Sequence, residues 1–137
     1  MKRGGAKGFG LRVRKVKDIN NREFIQYLKS LKPDLFVCCH GRQILKKELL
    51  ALRCINLHPR LYKYKGADLI GRLLKDKIKK ASVGVHWMTE EVDRGPVIAE
   101  EFLMVNGKNP TEIYNTLYPV YSKVLVRALN TIKAQSF

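Results

Sequence analysis

Four side chains in this sequence could supply hydrogen-bond donation, proton transfer and negative charge to one chemistry: Asn56, His58, His86 and Asp93. Along Cys54-Ile55-Asn56-Leu57-His58-Pro59 the pattern is that of a short buried strand. Side chains alternate faces in a strand, so Asn56 and His58 point one way while Ile55 and Leu57 point the other. Pro59 cannot donate to a sheet ladder and stops the strand one residue after the histidine. An amide and an imidazole thus stand side by side where a strand runs out, which is where open α/β sheets bind ligands. Further on, residues 82–98 form a strand carrying His86, an acidic turn with Glu90, Glu91 and Asp93, and a returning strand.

The elements that must position these groups follow from hydrophobic periodicity. Asn20 with Glu23 predicts a capping box, opening a helix whose Phe24, Ile25, Leu28 and Leu31 share a face and which Pro33 ends. Leu35-Phe36-Val37-Cys38-Cys39 is a continuous apolar run, as in a parallel strand covered on both faces. His40-Gly41-Arg42 follows as a loop at its C-terminal end, and a short helix from Lys46 to Leu52 leads to the strand from Cys54 to Leu57. This βαβ unit sets the loop at 40–45 and the Asn56/His58 pair at the same edge. After Gly66, Leu69, Ile70, Leu73 and Leu74 mark one helical face, and the lysine-rich segment Lys75 to Lys80 returns the chain to a strand at 83–88. Asn109, Pro110 and Glu112 cap a last helix, whose stripe is Ile113, Leu117, Val120, Val124, Leu125, Ala128, Leu129 and Ile132. Pro119 inside it predicts a kink. The expected class is α/β: a mostly parallel sheet flanked by helices, with a long kinked C-terminal helix.

The chain's 137 residues suit one domain with one ordinary core. No apolar run reaches transmembrane length and no signal-peptide core follows the basic N-terminus, so a cytoplasmic location and no membrane partner are expected. Cys38, Cys39 and Cys54 are odd in number and two lie in an apolar run, which points to buried reduced thiols. The net charge of +15 attracts polyanions, among them nucleic acid, phosphorylated metabolites and polyglutamylated folate. Without a nucleic-acid motif, binding to nucleic acid would be non-specific. Residues 1–17 carry seven basic side chains, from Lys2 to Lys17, and no acidic one. Their glycines make residues 1–12 a flexible basic tail, with Leu11, Val13 and Val16 as a short edge strand.

Together the two chemistry-bearing stretches resemble the formyltransferase family that uses 10-formyltetrahydrofolate. The shared residues are Asn56, His58-Pro59, Gly66, His86, and Asp93 two residues before Gly95-Pro96. The run from Val85 to Ile98 and the Tyr118-Pro119 pair look most like glycinamide ribonucleotide formyltransferases. The resemblance implies a partial Rossmann-like formyltransferase fold, with residues 13–137 as the catalytic domain. It implies formyl transfer from 10-formyltetrahydrofolate to the amine of an anionic acceptor: glycinamide ribonucleotide-like first, with a nucleotide amino sugar or methionyl-tRNA as alternatives. Purine biosynthesis and one-carbon metabolism are the corresponding settings. By the same resemblance Asn56 and His58 donate to the formyl oxygen and Asp93 keeps His58 usefully protonated; His86, between Val85 and Trp87 on its strand, reads equally as support for them or as a structural histidine. A carboxylate beside an imidazole favours imidazolium, the better donor to a growing negative charge. Folate is placed between Gly41, Arg42, Gln43, Ile44 and Leu45 on one side and Glu90, Glu91 and Val92 on the other. His40 lies near this edge, but the family motif does not call for it. No metal is expected, because the spacings of His58, His86 and Asp93 match no common zinc site. A different class of reading is an inactive, partner-dependent module that binds folate or polyanions without turnover.

The likeness runs from about residue 13 to 133 and does not include the strand, loop, helix and second strand with which family members begin. It also weakens at Arg60 to Lys63, where the family usually carries a proline. Leu35 to Cys39 is then expected to present an unpaired apolar edge, which natural proteins rarely leave in water. A homodimer or a chain supplying the missing strands would cover it. Sedimentation at several concentrations should therefore show self-association; a compact monomer throughout would mean that the sheet closes its edge another way.

Overall fold

The computed structural model of the protein describes residues 10–59 and 68–135. Most of the basic tail, the segment Arg60 to Lys63 and Gly66 lie outside these residues. The elements run α1 (Arg22–Ser30), β1 (Phe36–Cys39), α2 (Lys47–Leu50), β2 (Cys54–Pro59), α3 (Leu69–Lys75), β3 (Lys80–Trp87), β4 (Val97–Met104) and α4 (Pro110–Gln135). One sheet holds the strands in the order β1-β2-β3-β4.

The α/β class, the flanking helices and the long C-terminal helix are as expected. The sheet is mixed: β1 and β2 are parallel, while β2–β3 and β3–β4 are antiparallel. The second antiparallel pair is a consequence of the short turn between β3 and β4, since parallel neighbours need a crossover of a dozen or more residues. Strand β2 continues to Pro59, paired opposite Val83, rather than ending at Leu57. Helix α4 runs in one piece through Pro119, which offers no N–H to the preceding turn.

Two apolar clusters cover the two sheet faces. On one, Ile55, Leu57, Val83 and Val85 pack with Leu69, Ile70 and Leu73 of α3 and with Ile113, Leu117, Val124, Ala128 and Ile132 of α4. The smaller cluster joins Ile25 of α1, Leu45, Leu49 of α2 and Cys54. Glu101 of β4 pairs with Lys123 at 2.9 Å and Arg127 at 3.4 Å, bracing α4 against the sheet rim. Among the described residues, no helix is long and apolar enough to cross a membrane.

Near the N-terminus the structure corrects two expectations. The cap of α1 is Asn21, whose side chain accepts from the backbone N–H groups of Glu23 and Phe24 at 2.9 and 3.3 Å. Asn20 instead ties to the loop before α2, donating to Ile44 O at 3.0 Å and accepting from Lys46 N at 2.8 Å. Residues 11–16 form no strand, and Leu11, Val13 and Val16 are exposed. The adjoining backbone is committed to Gln43, which accepts from Ile19 N and donates to Lys17 O. Arg14 lies over the Tyr27 ring, 4.4 Å from its centroid, so this segment follows α1 rather than β1. Within the described sheet the outer edge of β1 has no strand beside it, and Val37 on it is exposed.

Leu117 is fully buried where α4 meets the sheet, so Leu117→Ala should cost about 2–5 kcal/mol through lost burial and the cavity left behind. Val126, on the outer face of the same helix, should lose no more than about 0.5 kcal/mol on the same truncation. Urea unfolding of the two variants checks the assignment of faces.

Candidate functional site

The floor of the site is the β2–β3 pair. Its register sets Asn56 opposite His86 and Leu57 opposite Val85. Directly opposed residues share a sheet face, so Asn56, His58 and His86 gather on one side while their apolar neighbours enter the α3/α4 core. The turn between β3 and β4 then brings in the carboxylate. Asp93 sits in the left-handed region at φ 56°, and its Oδ1 lies 3.7 Å from His58 Nε2 and 3.5 Å from His86 Nε2. The two imidazoles stand 5.2 Å apart, nearly edge to face.

His86 is held from behind. Its Nδ1 lies 2.8 Å from the carbonyl oxygen of Trp87; a carbonyl only accepts, so Nδ1 carries the proton and donates. The same carbonyl explains Gly95: any Cβ there would run into it. Trp87 N also donates to Pro96 O at 2.9 Å, closing the turn around this contact. His86 is 1% exposed, and neither its Nε2 nor the Oδ1 of Asn56 has a hydrogen-bond partner. Buried polar atoms are normally satisfied, so these two mark capacity reserved for something that binds.

A cleft of about 1040 Å³ takes in Asn56, His58, His86 and Asp93, together with Gly41 to Leu45 and Val92. The structure thus gathers the residues singled out as catalytic and most of those assigned to folate. Within the loop, Gln43 spends its side chain on tying the loop to residues 17–19, and Leu45 is core. Gly41, Arg42 and Ile44 are exposed at the cleft wall. Glu90 and Glu91 are exposed and not part of the wall; Glu91 pairs with Arg94 at 3.5 Å, and its carbonyl accepts from Thr89 Oγ1.

Sequence periodicity passed over the aromatic end of the cleft. His40, at φ 53°, stacks on Tyr121 at 5.1 Å and contacts Tyr114 and Tyr118 at 6.0 and 6.2 Å. The signal was the spacing of the tyrosines along α4, which puts all three on neighbouring positions of one helix face. Burial pushes the His40 pKa down and the Tyr121 pKa up. Burial also raises the thiol pKa of Cys38, and that of Cys54 to about 11, so both stay protonated near neutrality. Cys39, expected to be buried, is exposed.

A family model described as formyl transferase matches residues 6–129, and the chain belongs to that family. The methionyl-tRNA formyltransferase of Moorella thermoacetica is 35% identical over 130 residues, which are 91% of this chain and 42% of that protein. The chain thus spans less than half the length of that relative. Among solved structures, the phosphoribosylglycinamide formyltransferase of Campylobacter jejuni matches with a TM-score of 0.75 and 29% identity, over 93% of this chain and 71% of that one. HypX from Aquifex aeolicus, in complex with tetrahydrofolic acid, shares the fold at a TM-score of 0.75 with 17% identity, over 82% of this chain and 20% of that one.

Because Gly95 lets the turn close on the carbonyl that anchors His86, Gly95→Ala should destabilise the protein by about 1–3 kcal/mol through overpacking. It should also alter the His86 Nδ1–H resonance in imidazole NMR. An unchanged resonance would show that the turn gives way elsewhere.

Proposed function

We propose that the chain carries the catalytic centre of a formyl transfer from 10-formyltetrahydrofolate to the amine of a phosphate-bearing acceptor. The observation that carries this is the meeting of Asn56, His58 and Asp93 in one cleft of a chain that belongs to the formyl transferase family. The cleft is of the size of known small-molecule sites, Asn56 and His58 line it, and the Asn56 Oδ1 is a buried acceptor without a partner, so the residues present suit a folate carrying a formyl group. When bound, that folate supplies the activated formyl carbon.

Everything else falls to the chain's own groups. Negative charge gathers on the formyl oxygen as an amine adds, and the Asn56 amide and the His58 imidazole are placed to donate to it. One such donor is typically worth about 3 kcal/mol of barrier. The Asp93 carboxylate beside His58 favours the protonated ring, and takes up the amine's proton directly or through water. Holding both substrates in one cleft contributes roughly 7–11 kcal/mol by making the encounter intramolecular. Residues 41–45 and the backbone around Val92 form the folate side.

For the acceptor, identity to the Moorella enzyme favours methionyl-tRNA, and the charge of +15 suits a polyanion. Glycinamide ribonucleotide is the second reading, supported by the larger share of the Campylobacter structure that the chain covers. Formyl transfer should be measured with each acceptor at fixed formyl-folate, on the wild type and on Asn56→Ala, His58→Ala and Asp93→Ala. Each variant should lose about 10²–10³-fold in kcat, as for loss of one transition-state donor. Equal activity in all four proteins would remove these residues from the mechanism, and folate binding without turnover in any would make the chain a binding module.

A further inference from the structure

His58, His86 and Asp93 are scattered in sequence but converge in space: one ring nitrogen of each histidine and one Asp93 oxygen lie within 4.8 Å of one another. The nitrogen–oxygen separations are 3.7 and 3.5 Å. A tetrahedral zinc ion with bonds of about 2.0–2.1 Å needs donors about 3.3 Å apart, so small side-chain adjustments would close this set around an ion. Two nitrogens and one carboxylate is also a common donor set for divalent transition metals that leaves positions open.

His86 carries the second observation. Its Nδ1–H is committed to the Trp87 carbonyl, so in the neutral ring the Nε2 presents a lone pair towards the cleft. A backbone carbonyl behind the far nitrogen is how metal-binding histidines are usually oriented. That Nε2 is buried without a hydrogen-bond partner and faces a carboxylate oxygen 3.5 Å away. A lone pair facing a negative oxygen at that distance calls for positive charge between them, and a metal cation supplies it.

We propose that His58, His86 and Asp93 form a binding site for one divalent transition-metal ion of the zinc class, with its remaining coordination position open to the cleft. The ion occupies the His58 nitrogen that must carry a proton to donate and the Asp93 carboxylate that takes up the amine's proton, so its binding silences the centre reversibly. The binding half of this proposal stands on geometry alone; only the inhibitory half rests on the formyl-transfer reading.

The three cysteines are the rival donors, since Cys38 and Cys39 line the same cleft. The test is titration of the full chain with Co²⁺, followed by visible absorption, and then displacement by Zn²⁺. One ion per chain is expected, with weak d–d bands and no thiolate-to-cobalt charge-transfer band. Affinity should fall more than tenfold in His86→Ala and in Asp93→Asn, the second keeping the side chain's shape should the first fail to fold. Cys39→Ser should bind as the wild type does. If the formyl-transfer assay registers activity, Zn²⁺ should abolish it and a chelator restore it. Absence of binding at millimolar Co²⁺, undiminished binding in Asp93→Asn, or a strong charge-transfer band would each overturn the site; binding without any formyl transfer would leave it standing and count against the reading of function.

Discussion

The antiparallel register of β2 and β3 is the constraint on which the site depends. By setting Asn56 opposite His86, it fixes one amide and two imidazoles on a single sheet face. A slip of β2 by one residue would send Asn56 and His58 into the α3/α4 core and bring Ile55 and Leu57 out, away from His86. The register is held because the apolar partners of these residues are fully or almost fully buried, from Ile55 and Val85 at 0% to Leu57 at 4% exposed. Packing on one face of the sheet thus determines chemistry on the other.

Backbone strain completes the arrangement. His40, Asp68 and Asp93 all adopt positive φ, and all three line the cleft. Histidine and aspartate enter this region more readily than most side chains, but still at some cost. At Asp93 the outcome is a carboxylate held over two rings. The turn that holds it there closes on the Trp87 carbonyl, a contact open only to glycine at position 95. One carbonyl therefore couples the turn, the His86 tautomer and the place of the carboxylate.

The opposite wall is built differently. Hydrogen bonds from Asn20 and Gln43 lace residues 17–20 to the loop at 43–46, so the loop across the cleft from Asn56, His58 and Asp93 is braced by the N-terminal segment instead of by the sheet. Gln43 and Asn20 are polar residues in positions where a ligand role or a cap was expected. Their partners lie 24–26 residues away, beyond the reach of any local pattern.

Local chemistry determined much of this protein. Alternation along Cys54 to Pro59 placed Asn56 and His58 on one face, the 3.6-residue stripe from Ile113 to Ile132 defined α4, and Asn109 with Glu112 began it, because each depends on neighbours within a few residues. What depended on long-range pairing was open until the chain folded. The direction of β3 against β2 made the sheet mixed, and the choice of Asn21 over Asn20 as cap turned on a loop more than twenty residues distant. His86 was ambiguous as a strand histidine between apolar neighbours; only the register and the turn at Asp93 put its Nε2 beside that of His58. No spacing along the chain encodes that meeting, since it arises from two strands and a turn packing against one core.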